Sequence, residues 1–381
     1  MGNLLSSRKN ILGVLCLAII TAILLFGLWP FDFRPENKVE WLRNQNGVRF
    51  YGRGIICSEK EVPILPSLHS SNIPTKSFTI EIWIQPDKET FPYLPQLLTI
   101  WNRRTSECLY IEQWQSTLIL QSKIFDAKKK WIYKKIGIGN VLQKDQKCFI
   151  VITSDNRGTN IYIDGRLGES SRNYLFLQLT DKTMSSNFLV LGNSPTGQQH
   201  WMGSLLGLAI YNRSLTREQI SEHFQKWQEK GKSSLLAERG LFALYLFDEG
   251  SGEHIHDLLN HHYLVMPSRF EILQKTILVP PWKDFRFDRS YLMDIFTNIL
   301  GFVPFGFFFS AYLSMKKPRS IYQLFFFSLL IGGGLSLSIE LIQVYLPTRN
   351  SQLTDVITNI LGTAIGVFLF LKNRKSQVVR G

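Results

Sequence analysis

Four long apolar segments constrain the fold of this chain more than any other feature. Their bounds are 11–29, 295–313, 321–346 and 356–371. Each is close to, or longer than, the roughly 20 apolar residues that a helix needs to cross a bilayer. Because backbone polar groups must be hydrogen-bonded inside a membrane, these segments predict an all-α bundle of four transmembrane helices.

Basic residues flank these segments and predict the topology. Nine of the 43 basic residues lie in three short segments without acids, namely Arg8, Lys9, Lys316, Lys317, Arg319, Lys372, Arg374, Lys375 and Arg380. Since short cytoplasmic loops are rich in Lys and Arg, we expect an integral cytoplasmic (inner) membrane protein with both termini in the cytoplasm. Residues 35–290 then lie outside, in the periplasm or at the cell surface.

The net charge of +13 does not indicate a nucleic-acid partner. Outside the three basic segments, the remaining 34 basic residues nearly balance the 30 acidic ones. Nucleic-acid binding calls for a clustered basic surface, whereas this excess flanks apolar segments. The first predicted partner is therefore the lipid bilayer.

The long region after the first apolar segment is predicted to be β-structure. Apolar and polar residues alternate at 77–84 and at 160–165. Further short strands are predicted at 117–120, 148–153 and 188–191. Turn residues separate these strands, a pattern typical of a two-sheet sandwich. A short helix is predicted to follow, with Ser214 as its N-cap.

This region resembles a concanavalin-A-like, laminin-G-type jelly roll. The matching segments are 78–86, 160–167, 189–193, 201–205 and 207–215. The resemblance implies a jelly-roll sandwich over residues 45–230 and indicates the fold rather than the ligand. The segment 240–265 is similar to the opening strand of the same fold but follows the closing helix. It is either a remnant of a second copy or a strand that joins the first.

Two membrane segments share a repeat. Residues 294–301 (DIFTNILG) and 355–362 (DVITNILG) are identical at six of eight positions. On a helix, Asp, Asn and Gly at this spacing share one face. Small residues let helices approach closely in membranes. We therefore predict helix packing at Gly301, Gly306, Gly362 and Gly366.

Polar side chains in and beside the predicted spans form what we call the membrane polar cluster: Asp294, Asn298, Glu340, Gln343, Arg349, Asp355 and Asn359. A buried acid in a membrane is costly unless it is paired, protonated or hydrated, so Arg349 is predicted to pair with Glu340 or Asp355. Three roles stay open. The cluster hydrogen-bonds helices together, or it forms a pocket for a lipid headgroup or a glycan-bearing ligand, or it relays protons or ions.

The same residues resemble the VanZ-like family of small membrane proteins. The matching positions are the segment WPFDF at 29–33, Asp294, Asn298, the segment GFVPFG at 301–306, the segment SIE at 338–340, Gln343, Arg349, Asp355, Asn359 and Gly362. The resemblance implies a membrane fold and an envelope location, with the jelly roll inserted between the family's first and second spans. The family takes its name from a glycopeptide (teicoplanin) resistance factor, and no reaction is implied.

Candidate metal ligands come from two sets. His254 and His256 share one face of a predicted strand and are suitable ligands for a transition metal, or they belong to a polar turn. Some jelly rolls of this type bind calcium, for which Asp155, Asp164 and Asp181 are the candidates. Asp164 also fits a hairpin turn. No other cofactor is indicated.

Three cysteines lie in the predicted outside region. They are Cys57, Cys108 and Cys148, whereas Cys16 lies in an apolar segment. One disulfide with one free thiol is compatible with this odd number, and the sequence does not select the pair.

No catalytic motif is present in the outside region. A glycosidase needs a pair of carboxylates, but Glu81 has no second carboxylate on its strand face, and Asp248 and Glu249 are adjacent. The tryptophans suit sugar stacking as well as a sandwich core, and core is the expectation for most of Trp83, Trp101, Trp114, Trp131 and Trp201.

The sequence therefore predicts a non-enzymatic bacterial envelope protein. Its predicted organisation is the N-terminus and first span (1–35), the jelly roll (45–230), a strand-containing connector (231–290), three VanZ-like spans (291–373) and a basic tail (374–381). The jelly roll is expected to bind a polysaccharide, a lipid-linked glycan or an envelope protein, linked to polysaccharide handling or glycopeptide resistance. The alternatives are a scaffold for surface assembly or export, and an enzyme acting on lipid-linked sugars with Glu340 or Asp355 as general acid or base.

Overall fold

The structure is a computed structural model of the 381-residue chain. It describes residues 2–60, 77–103, 106, 108–125, 131–176, 187–229, 232–259, 262–285, 287, 289–316 and 319–380. The chain divides into two compact units. The sandwich unit is Pro35–Gln274, and the helical unit combines Met1–Arg34 with Lys275–Gly381.

The described part of the sandwich unit contains sixteen strands. In chain order they are β1 (Val39–Trp41), β2 (Val48–Tyr51), β3 (Ile56–Ser58), β4 (Phe78–Pro86), β5 (Gln96–Asn102), β6 (Cys108–Trp114), β7 (Thr117–Phe125), β8 (Trp131–Ile138), β9 (Cys148–Asp155), β10 (Gly158–Ile163), β11 (Arg166–Ser171), β12 (Asn187–Leu191), β13 (Met202–Tyr211), β14 (Leu241–Tyr245), β15 (His254–His256) and β16 (Tyr263–Val265). The helices of the whole chain are α1 (Gly2–Leu28), α2 (Arg217–Gln228), α3 (Pro281–Asp284), α4 (Arg289–Lys316), α5 (Ile321–Gln343) and α6 (Leu353–Arg380), and a 3₁₀ helix covers Lys232–Ala237.

The strands form two antiparallel sheets that pack face to face. The first sheet has the order β1-β2-β13-β4-β9-β10-β11, with β14 also paired to β13. The second sheet has the order β15-β16-β3-β12-β5-β6-β7-β8. The predicted all-β jelly-roll sandwich is therefore confirmed.

Side-chain alternation along β4 shows why this sheet is buried on both faces. Ile80, Ile82 and Ile84 belong to the core between the two sheets. Trp83, on the opposite face, packs with the cluster beneath α2. Each fully buried aliphatic side chain contributes about 1.5–3 kcal/mol, so the sandwich core stabilises the unit through many such residues.

The segment 240–265 joins the same sandwich. β14 pairs with β13, with Leu208 opposite Tyr245. β16 pairs with β3, with Val265 opposite Cys57, and β15 extends that edge. Of the two interpretations left open by the sequence, the structure shows the second. The sandwich therefore extends beyond the predicted bounds of 45–230, with β1 before them and β14, β15 and β16 after them.

The helix α2 begins with a capping box. Thr216 is the N-cap, and its hydroxyl accepts a hydrogen bond from the Gln219 amide at 3.4 Å while the Gln219 side chain accepts one from the Thr216 amide. The prediction of Ser214 as the N-cap is wrong, because the extended N-cap conformation occurs two residues later.

The four cysteines are free thiols. Two strands separate β3, which carries Cys57, from β6, which carries Cys108, and Cys148 lies in the other sheet. Three strand spacings amount to roughly 14 Å, which exceeds the reach of a disulfide.

The helical unit contains four candidate membrane spans, as the sequence predicts. They are Lys9–Leu28, Arg289–Met315, Ile321–Gln343 and Leu353–Arg374. The helices α4 and α6 pack closely through glycines. A Cβ added at Gly306 would meet the Thr363 carbonyl, one at Gly362 the Ile299 carbonyl, and one at Gly366 the Val303 carbonyl.

The prediction that Gly301 packs against a helix is wrong. It is the repeat counterpart of Gly362, but it is exposed, and a Cβ added to it would have no neighbour within 4 Å. Sequence-equivalent positions therefore occupy different environments, because α6 contacts α4 along one face only.

Candidate functional site

A pocket of about 390 Å³ lies on the outer face of the second sheet. We call it the tryptophan pocket, and it is lined by Ile55, Cys57, Ser58, Glu59, Trp101, Arg103, Phe188, Val265, Pro267, Glu271, Ile272 and Leu273. This volume is within the range of roughly 300–1,000 Å³ typical of small-molecule sites.

Strand alternation places two aromatic rings on this outer face. In β5, Leu98 and Ile100 enter the core between the sheets, so Trp101 points the other way. Phe188 of β12 is the cross-strand partner of Trp101, and their ring centroids are 5.8 Å apart. The two rings form an aromatic wall of the pocket, and the register between β5 and β12 sets the position of this wall.

The opposite wall of the pocket is the segment that follows β16. Phe270 is buried and packs with Ile55 and Val190 on the outer face of the second sheet. Its amide donates to the Pro35 carbonyl at 2.8 Å, and the Gln274 amide donates to the Pro195 carbonyl at 2.8 Å. Because both ends of this wall are hydrogen-bonded, the pocket is preformed.

The pocket combines an apolar floor with charged side chains at its rim. Glu59, Arg103 and Glu271 are all exposed. The Trp101 indole nitrogen is buried and has no hydrogen-bond partner among the described residues. Burial, with the charge of Glu271, raises the pKa of the Cys57 thiol to about 11, so this cysteine is a neutral apolar surface. The arrangement suits a ligand that has both a stacking face and hydroxyl groups.

A row of side chains continues from the pocket across the sheet. Trp101 pairs with Cys108, Cys108 with Lys123, and Lys123 with Tyr133. Tyr133 is 59% exposed and lies three strands from Trp101, at roughly 14 Å. In the next row, Thr99, Tyr110, Gln121 and Lys135 are paired in the same way. The outer face therefore offers aromatic and cationic groups beyond the pocket.

A buried carboxylate lies on this same face. Glu112 is 2% exposed, and its Oε1 atom accepts a hydrogen bond from Gln96 at 3.1 Å. Burial raises its pKa to about 7, against the opposing effects of Gln96 and Lys135. Its Oε2 atom has no partner among the described residues. Glu112 was not singled out from the sequence, because its burial depends on the tertiary packing.

A second buried acid, Glu81, is structural. It lies beneath α2, with its carboxylate 2.6 Å from His223 Nδ1, 2.8 Å from Trp227 Nε1 and 3.3 Å from the Tyr211 hydroxyl. His223 Nε2 is 3.4 Å from Glu238. Both Glu81 and His223 are fully buried. This network holds α2 on the first sheet and is closed to ligands.

The candidate metal ligands do not come together. Asp155 accepts hydrogen bonds from the backbone and side chain of Arg157, and Asp164 accepts one from the Phe149 amide in a hairpin turn. These aspartates lie at opposite ends of β10, roughly 20 Å apart. Asp181 lies outside the described residues. Among the described residues, no group of three His, Cys, Asp or Glu side chains forms a metal site.

The two candidate histidines are exposed on the edge strand β15. His254 and His256 share one face of that strand, as predicted from their spacing. His256 Nδ1 lies 3.2 Å from Glu249. Among the ion pairs of the described residues, the one that involves these two histidines joins His256 to the carboxylate of Glu249.

In the membrane polar cluster, Glu340 caps a helix. It is 2% exposed, and its Oε2 atom accepts a hydrogen bond from the Gln352 amide at 2.7 Å, directly before α6 begins. The Ser351 side chain also hydrogen-bonds to it. A carboxylate at a helix N-terminus satisfies free amides and interacts favourably with the helix dipole.

Two other members cap the end of α1. Gln343 donates to the Gly27 carbonyl at 2.8 Å, and Arg349 donates to the Phe26 and Trp29 carbonyls at 3.4 and 3.3 Å. Among the described ion pairs, none within 4 Å joins Arg349 to Glu340. The guanidinium donates to carbonyls at the end of α1 instead, so the pairing with Glu340 is not seen, and the alternative pairing of Arg349 with Asp355 stays a prediction.

The remaining members are spread over two helices. Asn359 donates to the Ser336 hydroxyl at 2.8 Å and so joins α6 to α5. Asp355 is half-buried near Glu340, whereas Asn298 is half-buried and Asp294 exposed on α4. The repeat residues Asp294 and Asp355 thus have unequal surroundings.

Two family models match parts of the chain. Residues 240–374 match the model of the VanZ/LLP1 family. Residues 65–221 match that of the concanavalin A-like lectin/glucanases superfamily. No curated protein matches the chain. The VanZ match begins at β14 and does not include α1.

Several solved structures are also similar to the chain. A proposed carbohydrate-binding protein from Bacteroides ovatus is 14% identical, with 61% of this chain and 59% of that chain covered and a TM-score of 0.39. The CBM40 of a Ruminococcus gnavus IT-sialidase is 10% identical, with 49% and 96% covered and a TM-score of 0.35. A heptameric SAP-like pentraxin from Limulus polyphemus is 14% identical, with 49% and 81% covered and a TM-score of 0.31.

Each family match corresponds to one of the two kinds of fold in the structure. The sandwich carries the concanavalin-A-like match, and the VanZ match covers the three helices α4, α5 and α6. The chain therefore carries one region that matches the VanZ/LLP1 family model and another that matches the model of the concanavalin A-like lectin/glucanases superfamily.

Proposed function

We propose that this protein is a glycan-binding membrane protein of the bacterial cell envelope, and that the tryptophan pocket holds one sugar unit. The observation that carries this proposal is the preformed 390 Å³ pocket, in which Trp101 and Phe188 lie beside charged rim residues. The half-buried Phe188 ring offers an apolar surface to a sugar ring, and Trp101, which is 3% exposed, packs against Phe188 and supports it. Carboxylates and guanidinium groups bind sugar hydroxyls. The row from Lys123 to Tyr133 extends the site to further units of a polysaccharide.

Binding by the full chain in detergent tests this proposal. The chain is titrated against bacterial envelope polysaccharides, with calcium and with chelator. We expect Trp101→Ala to weaken binding about tenfold or more, which corresponds to roughly 1.4 kcal/mol. Trp114→Ala controls for the loss of a tryptophan that does not line the pocket. Because Trp101 is 3% exposed and Trp114 is 49% exposed, the thermal midpoint of each variant is measured beside its binding.

A second variant separates binding from folding. Arg103 is exposed, so Arg103→Ala is expected to keep the fold and still weaken binding. If the parent chain is folded and binds no polysaccharide in the panel, glycan binding is refuted and the scaffold alternative, with protein partners, takes its place. If both variants bind like the parent, the tryptophan pocket is not the site.

We also propose that the protein lies in the cytoplasmic membrane with both termini inside and the sandwich unit outside. The support is the charge pattern that flanks the four candidate spans. Reporter fusions after residues 290 and 381 test this topology: an enzyme active only outside should work at 290 and fail at 381. The reverse pattern refutes it.

For the membrane polar cluster we propose a structural role in closing helix ends. Glu340 is 2% exposed and accepts hydrogen bonds at the start of α6, which leaves its carboxylate poorly placed for acid–base catalysis. The link to glycopeptide resistance rests on the family name alone. Teicoplanin susceptibility of a deletion strain tests that link.

A further inference from the structure

Large aromatic side chains are exposed around one end of the helical unit. We call them the aromatic collar: Trp29, Phe31, Phe33, Trp282, Phe285, Phe287 and Tyr345. The exposed fractions of Trp282 and Phe287 are 79% and 88%. So many exposed aromatic side chains near the ends of apolar helices are unusual on a protein surface that faces water.

Hydrogen bonds show that these rings lie at the same end of the helices. Gln343 joins the end of α5 to the end of α1. The Tyr291 hydroxyl is 3.5 Å from the Thr354 hydroxyl, which joins the start of α4 to the start of α6. The collar residues follow α1, precede α4 and follow α5 by a few positions, so they surround one end of the candidate spans.

The segment that carries three of the rings is fixed to this end. The Val279 amide donates to the Ser351 carbonyl at 2.9 Å, and the Leu353 amide donates to the Val279 carbonyl at 3.0 Å. Phe285 packs edge-to-face on Tyr291, with ring centroids 5.8 Å apart. Trp282 and Phe287 are therefore exposed although hydrogen bonds hold their segment against the helices.

Cationic side chains lie among these rings. Lys275 Nζ lies 4.0 Å from the centroid of the Tyr345 ring. Lys283 and Arg289 are exposed beside Trp282 and Phe287 in the chain. Aromatic rings mixed with Lys and Arg are typical of the headgroup layer of a membrane, where rings meet the acyl boundary and cations meet phosphates.

We propose that the aromatic collar lies in the headgroup layer of a phospholipid bilayer and that residues 277–285 run along the membrane surface. The four spans continue directly from the collar, which identifies the lipid bilayer as the occupant of this surface. The position of the aromatic collar does not depend on glycan binding by the sandwich. It makes the segment before α4 a membrane-bound element rather than a solvated tether.

Depth measurements on the full chain in vesicles of phosphatidylethanolamine and phosphatidylglycerol test this proposal. Trp282→Cys and Phe285→Cys each receive an environment-sensitive fluorophore, and the label taken up by the parent chain is subtracted. The matched controls are Phe326→Cys, exposed on α5 for the hydrocarbon core, and Tyr263→Cys, exposed on the sandwich for water.

We expect the labels at 282 and 285 to emit at shorter wavelength than the label at 263. Lipids brominated near the headgroup should quench them more strongly than lipids brominated deep in the chain, with the opposite order at 326. Emission at 282 and 285 like that at 263, without quenching, would overturn the proposal. Deep quenching like that at 326 would also overturn it, because the segment would then lie in the hydrocarbon core.

Discussion

The buried contact between Glu81 and His223 makes the sharpest prediction for the sandwich unit. Glu81 accepts hydrogen bonds from Trp227 and Tyr211 and lies 2.6 Å from His223 Nδ1. In Glu81→Gln the side chain keeps its size, but it loses its charge and one of its two acceptor oxygens. At least one buried donor beneath α2 must then remain unsatisfied or face the amide of the new side chain.

The expected cost follows from burial. Both side chains are shielded from water, with exposed fractions of 0% and 1% for Glu81 and His223. Breaking a buried ion pair typically costs about 3–5 kcal/mol, so we expect a loss of about 3 kcal/mol in the free energy of unfolding for Glu81→Gln at pH 6. The control Glu222→Gln removes an exposed partner of Lys226 on the same helix and should change little.

The effect should depend on pH in a defined direction. Burial opposes the charged imidazole, but the hydrogen bond and charge of Glu81, with the charge of Glu238, raise the pKa of His223 above its usual 6.5. The folded state therefore binds this proton more tightly than the unfolded state. The stabilisation is complete below about pH 6.5 and is lost as the pH rises through the higher folded-state pKa.

Urea unfolding of the full chain in detergent, monitored by tryptophan emission, measures the effect. The parent, Glu81→Gln and Glu222→Gln are compared at pH 6 and pH 9. We expect the difference between the parent and Glu81→Gln to be larger at pH 6. If the two variants behave alike at both values, or if the difference grows at pH 9, the charged network does not stabilise the fold as reasoned.

Three further predictions concern other buried groups. Glu112→Gln should raise the free energy of unfolding at pH 8 by on the order of 1–3 kcal/mol and leave it unchanged near pH 4. The reason is that the pKa of Glu112 is about 7 in the folded chain, so the cost of ionising it builds up between about pH 4.5 and 7 and is complete above pH 7. Urea midpoints equal to the parent's at both pH values would contradict this prediction. Gly362→Ala should lower the thermal midpoint of the helical unit in detergent, because the added Cβ meets the Ile299 carbonyl. The repeat-matched control Gly301→Ala should keep or raise this midpoint. Equal effects of the two variants would refute the close packing of α4 on α6 at Gly362. Glu340→Leu should destabilise the same unit by about 1–3 kcal/mol by leaving the start of α6 uncapped, and a higher thermal midpoint would show that the cap is dispensable.

Local patterns along the chain were enough to predict both fold classes. Four apolar segments predicted four spans, because length and hydropathy alone decide whether a helix can cross a bilayer. Alternation at 77–84 and 160–165 predicted strands, because side chains in a strand point alternately to its two faces. These signals lie within about ten to twenty residues, so they need no knowledge of the fold.

Only the tertiary structure decided which residues meet. Phe188 lies beside Trp101 because β12 pairs with β5, and the segment 267–273 closes the pocket only once β16 pairs with β3. The repeat predicted equal roles for Gly301 and Gly362, yet only Gly362 contacts a helix. Glu340 was notable in the sequence as a costly buried acid, but its partner at Gln352 depends on the turn that brings α6 beside α5. Burial, pairing and pockets arise from contacts between distant segments, which periodicity along the chain does not encode.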